Sequence, residues 1–198
     1  MNGLNQKKVT FTKNLLLDAA CTLTQTLDIS ELSFKRVSQQ ADISERTMFR
    51  HFSNREAFLD ELTARLYAEL ELPDVPHSLD ELAGYITLLY QKMDAQPRKV
   101  EVLLSADLLP RVLNTAARAR FESLKQLLSE NYPDCSSSDI AKTAANLRYV
   151  MSASSWRYYR MNFDFDLETS TDCARMLVTQ ALRYLQENQL KKSNLSNR

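Results

Sequence analysis

The 198-residue sequence predicts an all-α fold, and three observations support this class. Leu, Ala, Glu, Gln, Lys and Arg dominate the composition, and these residues favour helix. The chain has two Gly and five Pro, too few turn formers for a many-stranded β fold. Apolar residues make up 44% of the chain and recur at helical spacings of three and four, so helices can bury a packed core.

Composition also narrows the class of protein. The N-terminal stretch lacks the apolar run of a secretory signal, and no stretch approaches the ~20 apolar residues of a membrane-spanning helix. We therefore expect a soluble, cytoplasmic protein without membrane contact. Cys21, Cys135 and Cys173 are odd in number and far apart, which fits neither a disulfide framework nor a metal site. No metal and no cofactor are expected.

The net charge is zero, with 25 basic and 25 acidic residues. This balance argues against the strongly basic bulk of many nucleic-acid-binding proteins. The distribution is uneven, however, because residues 1–55 carry eight Lys and Arg against five Asp and Glu. The N-terminal quarter is mildly positive.

The first seventy residues predict four helices, two of them very short. An apolar stripe predicts the first helix, over residues 12–27, with Thr12 as its N-cap. The stripe consists of Leu16, Ala19, Ala20, Leu23 and Leu27. Ser33 and Ser44 each open a short helix.

The fourth helix is predicted to start at Ser53, where Glu56 three residues later completes a capping box. Pro73 and Pro76 then indicate a boundary between two regions. Beyond it, the pattern predicts a helix over 78–95 and another that starts at Pro97 and is interrupted near Pro110. A longer helix then runs to Asn131, and two more follow over 139–161 and 167–189.

The two short helices have the dimensions of a helix-turn-helix, with Ala41–Ile43 as the link. In that motif the second helix enters the DNA major groove with its N-terminal residues against base edges. Met48 and Phe52 are expected in the core. The outward residues are Ser44, Glu45, Arg46 and Arg50.

Arg46 is placed for a bidentate contact to guanine, and Thr47 and His51 for contacts to phosphate. Glu45 either accepts a hydrogen bond from cytosine or repels backbone phosphates. We expect two further phosphate contacts at helix starts, and a basic N-terminal arm with Lys7 and Lys8 that reaches DNA. One helix start is at Ser33 with Lys35, and the other at Ser53, Asn54 and Arg55.

Each of these features also has an ordinary structural interpretation. A pair of short helices can be a simple corner between helices, and exposed arginines are commonly solvated charges. His51 as a catalytic base lacks a recognisable Ser, Cys or Asp partner. The ordered set of cap, turn, Thr, aromatic residue, His and Phe favours DNA binding over these interpretations.

Residues from about 13 to 62 resemble the DNA-binding domain of the tetracycline-repressor (TetR) family of bacterial regulators. The resemblance is carried by LLLDAACTL, SFKRVSQQADIS and RTMFRHFSNREAFLDEL. Its most specific element is Thr47, Phe49, His51 and Phe52, followed by Arg55-Glu56. It covers about a quarter of the chain.

The sequence departs from the family pattern at three positions. Asp42 stands where the turn usually has glycine, and Asp28 stands at the usual glycine after the first helix. Asp tolerates the left-handed conformation better than most residues, so we expect the turn to form. Phe49 replaces the usual tyrosine and removes a hydroxyl contact to phosphate.

The resemblance implies a C-terminal helical domain that binds a small-molecule effector and dimerises through its last two long helices. Candidates for an apolar, aromatic effector pocket are Tyr85, Leu89, Met93, Leu103, Phe121, Tyr149, Trp156 and Tyr159. Candidates for the dimer interface, at helical spacing, are Leu147, Met151, Ser154, Tyr158, Leu177, Ala181 and Tyr184. The aromatic cluster at Trp156–Phe163 fits the pocket, the interface or neither, and the sequence does not distinguish between these roles.

The predicted organisation is an N-terminal three-helix DNA-binding domain followed by a C-terminal ligand-binding and dimerisation domain. The expected bounds are an arm and helix-turn-helix at 1–55, a connecting helix at 56–72, the effector and dimer domain at 73–190 and a flexible tail at 191–198. We expect a non-enzymatic repressor that binds a near-palindromic operator in double-stranded DNA as a homodimer and is released by an effector.

Two other classes compete with this expectation. A helical enzyme would need a nucleophile–base pair or a metal set, and none is recognisable in the sequence. A protein-interaction module would keep the helix-turn-helix shape without specific DNA binding. Salt-sensitive DNA binding distinguishes both from a regulator.

Overall fold

A computed structural model of the chain describes the backbone of residues 2–196 and the side chains of residues 6–191. Over this range the protein is all-helical, without strands, as predicted. No helix within the described range is long and apolar enough to span a membrane. The backbone divides into two compact units, Met1–Leu70 with Pro97–Val112, and Glu71–Gln96 with Leu113–Arg198.

The first unit is built from six helices within the described residues. They are α1 (Asn2–Leu23), α2 (Phe34–Gln40), α3 (Glu45–His51), α4 (Arg55–Glu69), α6 (Pro97–Leu103) and α7 (Leu109–Val112). Helix α1 packs against α2 and α4, α2 packs against α3, and α4 contacts α6 and α7. The predicted stripe of α1 is buried at Leu16 and Ala20.

The start of α1 differs from the prediction. The helix begins at Asn2 rather than at Thr12, so Lys7 and Lys8 lie on a helix and do not form an extended arm. The Thr12 hydroxyl donates to the Lys8 carbonyl at 3.0 Å, which is the bond of a threonine inside a helix rather than at its start. The side chains of residues 1–5 lie outside the described part of the chain.

The link between α1 and α2 is irregular, apart from a short 3₁₀ turn at Ile29–Glu31, and arginine side chains satisfy its carbonyls. Arg98 of α6 donates to the carbonyls of Thr24 and Leu27 at 3.1 and 3.0 Å. Arg55 of α4 donates to the carbonyls of Ile29 and Leu32. Two arginines from other helices therefore fix the path of this link.

Ion pairs add further contacts between α4 and the two helices that follow it in this unit. Lys99 of α6 lies 2.8 Å from Glu69, and Arg111 of α7 contacts Glu56 and Asp60. The Arg111 side chain is only 18% exposed, so water screens its two contacts less than it would at an open surface. Residues 97–112 are thus attached to the N-terminal helices although they are distant in sequence.

The second unit consists of α5, α8, α9, α10 and α11 within the described residues. Their bounds are Leu82–Asp94, Arg118–Asn131, Ser137–Val150, Ala153–Arg157 and Leu167–Ser196. A 3₁₀ turn at Leu79–Glu81 precedes α5, and π-helical segments lie at Leu113–Ala117 and Tyr158–Asn162. Helix α9 packs between α8 and α11, and α11 also packs against α5.

The single helix predicted over 139–161 is wrong. Helix α9 ends at Val150, and Ser152 caps the start of α10 by accepting a hydrogen bond from the Ser155 amide. In a continuous helix the Val150 carbonyl would accept from the amide four residues on. Here the Tyr90 hydroxyl of α5 donates to that carbonyl at 2.9 Å, so a tertiary hydrogen bond replaces the helical one.

The last helix is longer than predicted. It begins at Leu167, as expected, but continues to Ser196 instead of ending near residue 189. Asp166 caps its start by accepting from the Thr169 amide at 2.7 Å. The backbone of 191–196 is therefore helical where a flexible tail was predicted, and Asn197 and Arg198 lie outside the described residues.

Candidate nucleic-acid interface

The turn between α2 and α3 has a conformation that sets the angle of α3. The Asp42 amide donates to the Gln39 carbonyl at 3.2 Å, and the Ile43 amide donates to the Ser38 carbonyl at 2.9 Å. These two bonds form a Schellman motif, which needs a left-handed residue at its centre. Asp42 has a φ of 54° and occupies that position. The expectation that aspartate replaces glycine in this turn is confirmed.

Both short helices start at the predicted residues. The Ser33 hydroxyl accepts from the Arg36 amide at 3.2 Å, and the Ser44 hydroxyl accepts from the Thr47 amide at 3.3 Å. The hydroxyls of Ser44 and Thr47 also lie 2.9 Å apart and share a hydrogen bond. In α3 these two residues therefore help to form the first turn.

The cap of α4 differs from the prediction by one residue. Asn54, not Ser53, is the N-cap, and its side-chain oxygen accepts from the Ala57 amide at 2.9 Å. The backbone of Asn54 is extended, as an N-cap requires, and asparagine caps as well as serine does. The predicted capping box of Ser53 and Glu56 is wrong.

Apolar packing holds α3 by one face. Met48 is fully buried, and Phe52 at the end of α3 is 1% exposed. The Phe52 ring meets Phe58 of α4 edge-to-face at 5.3 Å, and Phe58 meets Phe34 of α2 at 5.7 Å. One cluster of phenylalanines thus joins α2, α4 and the end of α3, and directs the opposite face of α3 to solvent.

The solvent face of α3 carries the residues predicted to read DNA. Ser44, Glu45, Arg46, Phe49 and Arg50 are exposed, and Thr47 is half-buried. Phe49 is 57% exposed and rests edge-to-face on Phe34 at 5.0 Å.

Three cations in this region have no ion-pair partner among the described residues: Lys35, Arg46 and Arg50. Arg36, in contrast, lies 3.5 Å from Glu31. The guanidinium of Arg55 already donates to two backbone carbonyls, so its nitrogens support the fold rather than point to a ligand. Free positive charge is concentrated at the start of α2 and along α3.

His51 occupies a different environment from the one predicted. Its Nε2 atom is buried and has no hydrogen-bond partner. Burial, together with the nearby charges of Arg50 and Lys13, lowers the pKa of His51 below its ordinary value. The His51 side chain is half-buried, and its Nε2 atom is not available to phosphate in this conformation.

A surface cavity of about 510 Å³ lies against the turn of the motif. It is lined by Lys35, Ser38, Gln39, Asp42, Ile43, Ser44 and Glu45. Gln39 was not among the predicted contacts, although it is exposed and one helical turn beyond Lys35. That spacing of four on the polar face of α2 is the signal that could have identified it.

The residues predicted to form an effector pocket differ in burial and do not all belong to the same unit. Leu103 belongs to the first unit, and the other seven to the second. Leu89, Met93 and Trp156 are at most 2% exposed, whereas Tyr149 is 65% exposed. The remaining three are Tyr85, which is buried and accepts from Arg120 at 2.6 Å, Tyr159, which is half-buried, and Phe121, which lines a surface groove.

The residues predicted for a dimer interface also divide. Leu147 and Met151 are 1% and 3% exposed, so the core of the second unit uses their side chains. They are not available to a second copy of the chain. Tyr158, Leu177 and Tyr184 are exposed, and Ser154 and Ala181 are half-buried.

These features define the class of protein as a helical chain whose N-terminal unit presents a helix-turn-helix. In agreement, residues 16–62 match the family model described as "Bacterial regulatory proteins, tetR family". The N-terminal unit of the chain is therefore similar to the DNA-binding domain of this family, and the match covers about a quarter of the chain.

Two solved structures share a distant likeness with the chain. One is the multidrug binding protein EbrR complexed with imidazole, at 18% identity and a TM-score of 0.49, covering 83% of this chain and 93% of that one. The other is the TetR family repressor AlkX from Dietzia sp. strain DQ12-45-1b, at 17% identity and a TM-score of 0.44, covering 88% and 95%. Neither likeness is close enough to carry an argument about function. No curated protein sequence matches the chain.

The lowered pKa of His51 predicts an acid sensitivity of the fold. The unfolded chain takes up a proton at His51 near its ordinary pKa, whereas the folded chain does so only at lower pH. Stability linked to His51 is therefore complete above the ordinary pKa and decreases as the pH falls below it. The free energy of unfolding of the wild type should be lower at pH 5.5 than at pH 7.5, measured by urea titration.

The chain has one other histidine, His77, which supplies a matched control. His51→Gln should flatten this part of the pH profile more than His77→Gln does. An unchanged profile in His51→Gln would contradict the assignment.

Proposed function

We propose that the protein is a transcriptional repressor that binds a near-palindromic operator as a homodimer and is released by a small-molecule effector. The observation that carries the proposal is a set of cations on the helix-turn-helix that have no ion-pair partner among the described residues: Lys35, Arg46 and Arg50. The chain as a whole has no net charge, so the positive charge of these cations is a local feature of the helix-turn-helix. Duplex DNA is the partner that matches both the helical shape and the charge.

The contacts divide into those that read bases and those that position the helix. Arg46 is the second residue of α3, at the end that meets base edges, and its guanidinium can bond guanine in two places. Lys35 is the second residue of α2, where a phosphate can also accept from the helix amides. Phe49 lacks a hydroxyl, so its exposed ring offers an apolar contact, such as one to a thymine methyl group.

The role proposed for Arg55 changes from a contact to a support. Its hydrogen bonds to the carbonyls of Ile29 and Leu32 hold the link before α2. His51 is left out of the proposed interface because its Nε2 atom is buried. The interface proposed here therefore consists of Ser33, Lys35, Gln39, Ser44, Glu45, Arg46, Thr47, Phe49, Arg50 and Asn54.

A homodimer is supported by the exposed apolar side chains of α11. Leu177 and Tyr184 are 37% and 46% exposed. Leu177 and Tyr184 are seven residues apart and lie on one helix face. A homodimer carries two copies of α3, and two such helices ~34 Å apart fit successive major grooves.

Release by an effector requires two conformations with different affinities for operator. The effector must bind the conformation that does not fit DNA more tightly than the one that does, and operator must have the opposite preference. The second unit is the larger part of the chain, and it contains aromatic side chains of the kind that line small-molecule sites.

The first experiment is selection of operator from genomic DNA. Purified protein is incubated with sheared DNA from its source genome at low salt, and the retained fragments are sequenced. Enrichment of a near-palindromic motif is expected. Absence of enrichment with a folded, dimeric protein would contradict specific DNA binding and would favour an interaction module.

The selected motif allows a test of Arg46. Arg46→Ala should weaken binding to the motif by ~1–3 kcal/mol, because a bidentate base contact is lost, while binding to unrelated DNA changes little. Lys35→Ala should instead weaken binding to all sequences and reduce the slope of log affinity against log salt by about 1. Fluorescence anisotropy with labelled duplexes at several salt concentrations measures both effects.

Arg157→Ala is the control, since Arg157 is an exposed arginine on α10 in the second unit. Binding by this variant should equal that of the wild type. Wild-type affinity and specificity in Arg46→Ala would overturn the assignment of Arg46.

If this face of α11 forms the dimer interface, a charge introduced there should weaken dimerisation. Leu177→Glu should shift the chain toward monomer in sedimentation equilibrium, because a carboxylate would be buried between two copies. Thr179→Glu adds the same charge two residues away, at an exposed position on another face of α11, and should leave the dimer intact. Equal dimerisation of the two variants would show that the face containing Leu177 is not the interface.

A further inference from the structure

A groove of about 390 Å³ opens on the surface of the second unit. It lies where the π-helical segment Leu113–Ala117 and α8 meet α9. Its lining residues are Leu113, Asn114, Ala117, Arg118, Phe121, Glu122, Ala145 and Arg148. The volume falls within the range of small-molecule sites, ~300–1,000 Å³. π-helical segments are uncommon and often occur at functional sites.

The charge of the groove is positive. Arg118 is exposed and has no ion-pair partner among the described residues. Glu122 is the carboxylate in the lining, and it lies 3.5 Å from Lys125, which offsets its charge. An anion that enters the groove therefore meets guanidinium groups without full competition from Glu122.

Arg148 is held in a defined position beside the groove. Its Nε atom donates to the Ala117 carbonyl at 3.3 Å, and its Nη1 atom donates to the Met151 carbonyl at 3.3 Å. Both acceptors are backbone carbonyls, and these two bonds orient the guanidinium beside the groove. The Ala117 carbonyl belongs to the π-helical segment, which links the geometry of this segment to the position of Arg148.

Apart from Asn114, the rest of the lining is apolar. Phe121 is half-buried, and Ala117 is 7% exposed. Leu113 is 52% exposed at the mouth of the groove, where a large apolar side chain is normally covered. A ligand with a flat apolar body would bury these surfaces and leave its charged end beside Arg118.

We propose that this groove binds a small organic monoanion, a carboxylate attached to an aromatic or compact aliphatic body. A planar guanidinium can donate two parallel hydrogen bonds to a carboxylate, and the apolar lining supplies affinity for the body. The ligand needs both a negative charge for the arginines and an apolar body for the apolar lining. Acetate has only the charge, and benzyl alcohol has only the apolar body. The inference concerns the second unit and does not depend on DNA binding.

The test uses the full chain without DNA and three probes: benzoate, benzyl alcohol and acetate. Isothermal titration calorimetry at low salt measures affinity, and the methyl signals of Ala117 and Ala145 in NMR spectra locate the bound molecule. Benzoate should bind more tightly than either other probe and should shift both methyl signals. Higher salt should weaken the binding of benzoate, because the attraction is between exposed charges.

Two substitutions of exposed side chains should change the affinity in opposite directions. Arg118→Gln should weaken the binding of benzoate by roughly fivefold or more, and Glu122→Gln should tighten it. Arg183→Gln is the control, since Arg183 is an exposed arginine on α11 outside the groove lining. Circular dichroism verifies that each variant keeps the helical content of the wild type.

Equal affinity for benzoate and benzyl alcohol would overturn the proposal, as would methyl shifts elsewhere in the chain. The same holds if Arg118→Gln binds benzoate no more weakly than Arg183→Gln. Operator binding is measured separately, so these outcomes are distinguishable from a failure of the proposed regulatory function.

Discussion

The arrangement of the N-terminal unit depends on how the carbonyls between α1 and α2 are satisfied. This link is mostly irregular, so its backbone oxygens lack the partners that a helix would supply. Arg98 and Arg55 provide four hydrogen bonds to it from α6 and α4. Because α2 follows this link directly and α3 follows α2, the two arginines help to determine the position of α3 in the N-terminal unit. Removal of Arg98 would leave the carbonyls of Thr24 and Leu27 without this donor, and removal of Arg55 would do the same to the carbonyl of Leu32; an unpaired buried carbonyl costs more than the hydrogen bond itself contributes.

In the helix-turn-helix, neighbouring side chains have different roles. Met48 and Phe52 hold α3 by its buried face, and Asp42 sets its angle through the left-handed turn. On the exposed face, Arg46 and Arg50 have no ion-pair partner among the described residues. A rigid element with free charges on one face is the arrangement that DNA recognition needs, since contacts to phosphate and base require a fixed geometry.

Much of this motif was predictable because its determinants are local. Ser33 and Ser44 cap helices through hydrogen bonds that span three residues, and the tolerance of Asp42 for positive φ is a property of the residue itself. The errors arose where two neighbouring residues satisfy the same local rule. Ser53 and Asn54 are both good caps, and the structure uses Asn54.

The sequence by itself determined the all-helical class, the positions of the short helices and the outward face of α3, since residue preference and helical spacing act over a few residues. Only the tertiary structure decided the roles that depend on distant partners. It assigned Arg55 to backbone carbonyls, buried Leu147 and Met151 in the core, and broke the helix after Val150 through the Tyr90 hydroxyl. Residues 97–112 joined the N-terminal unit for the same reason. Contacts between segments far apart in sequence are set by the packing of the whole unit, and no local pattern encodes them.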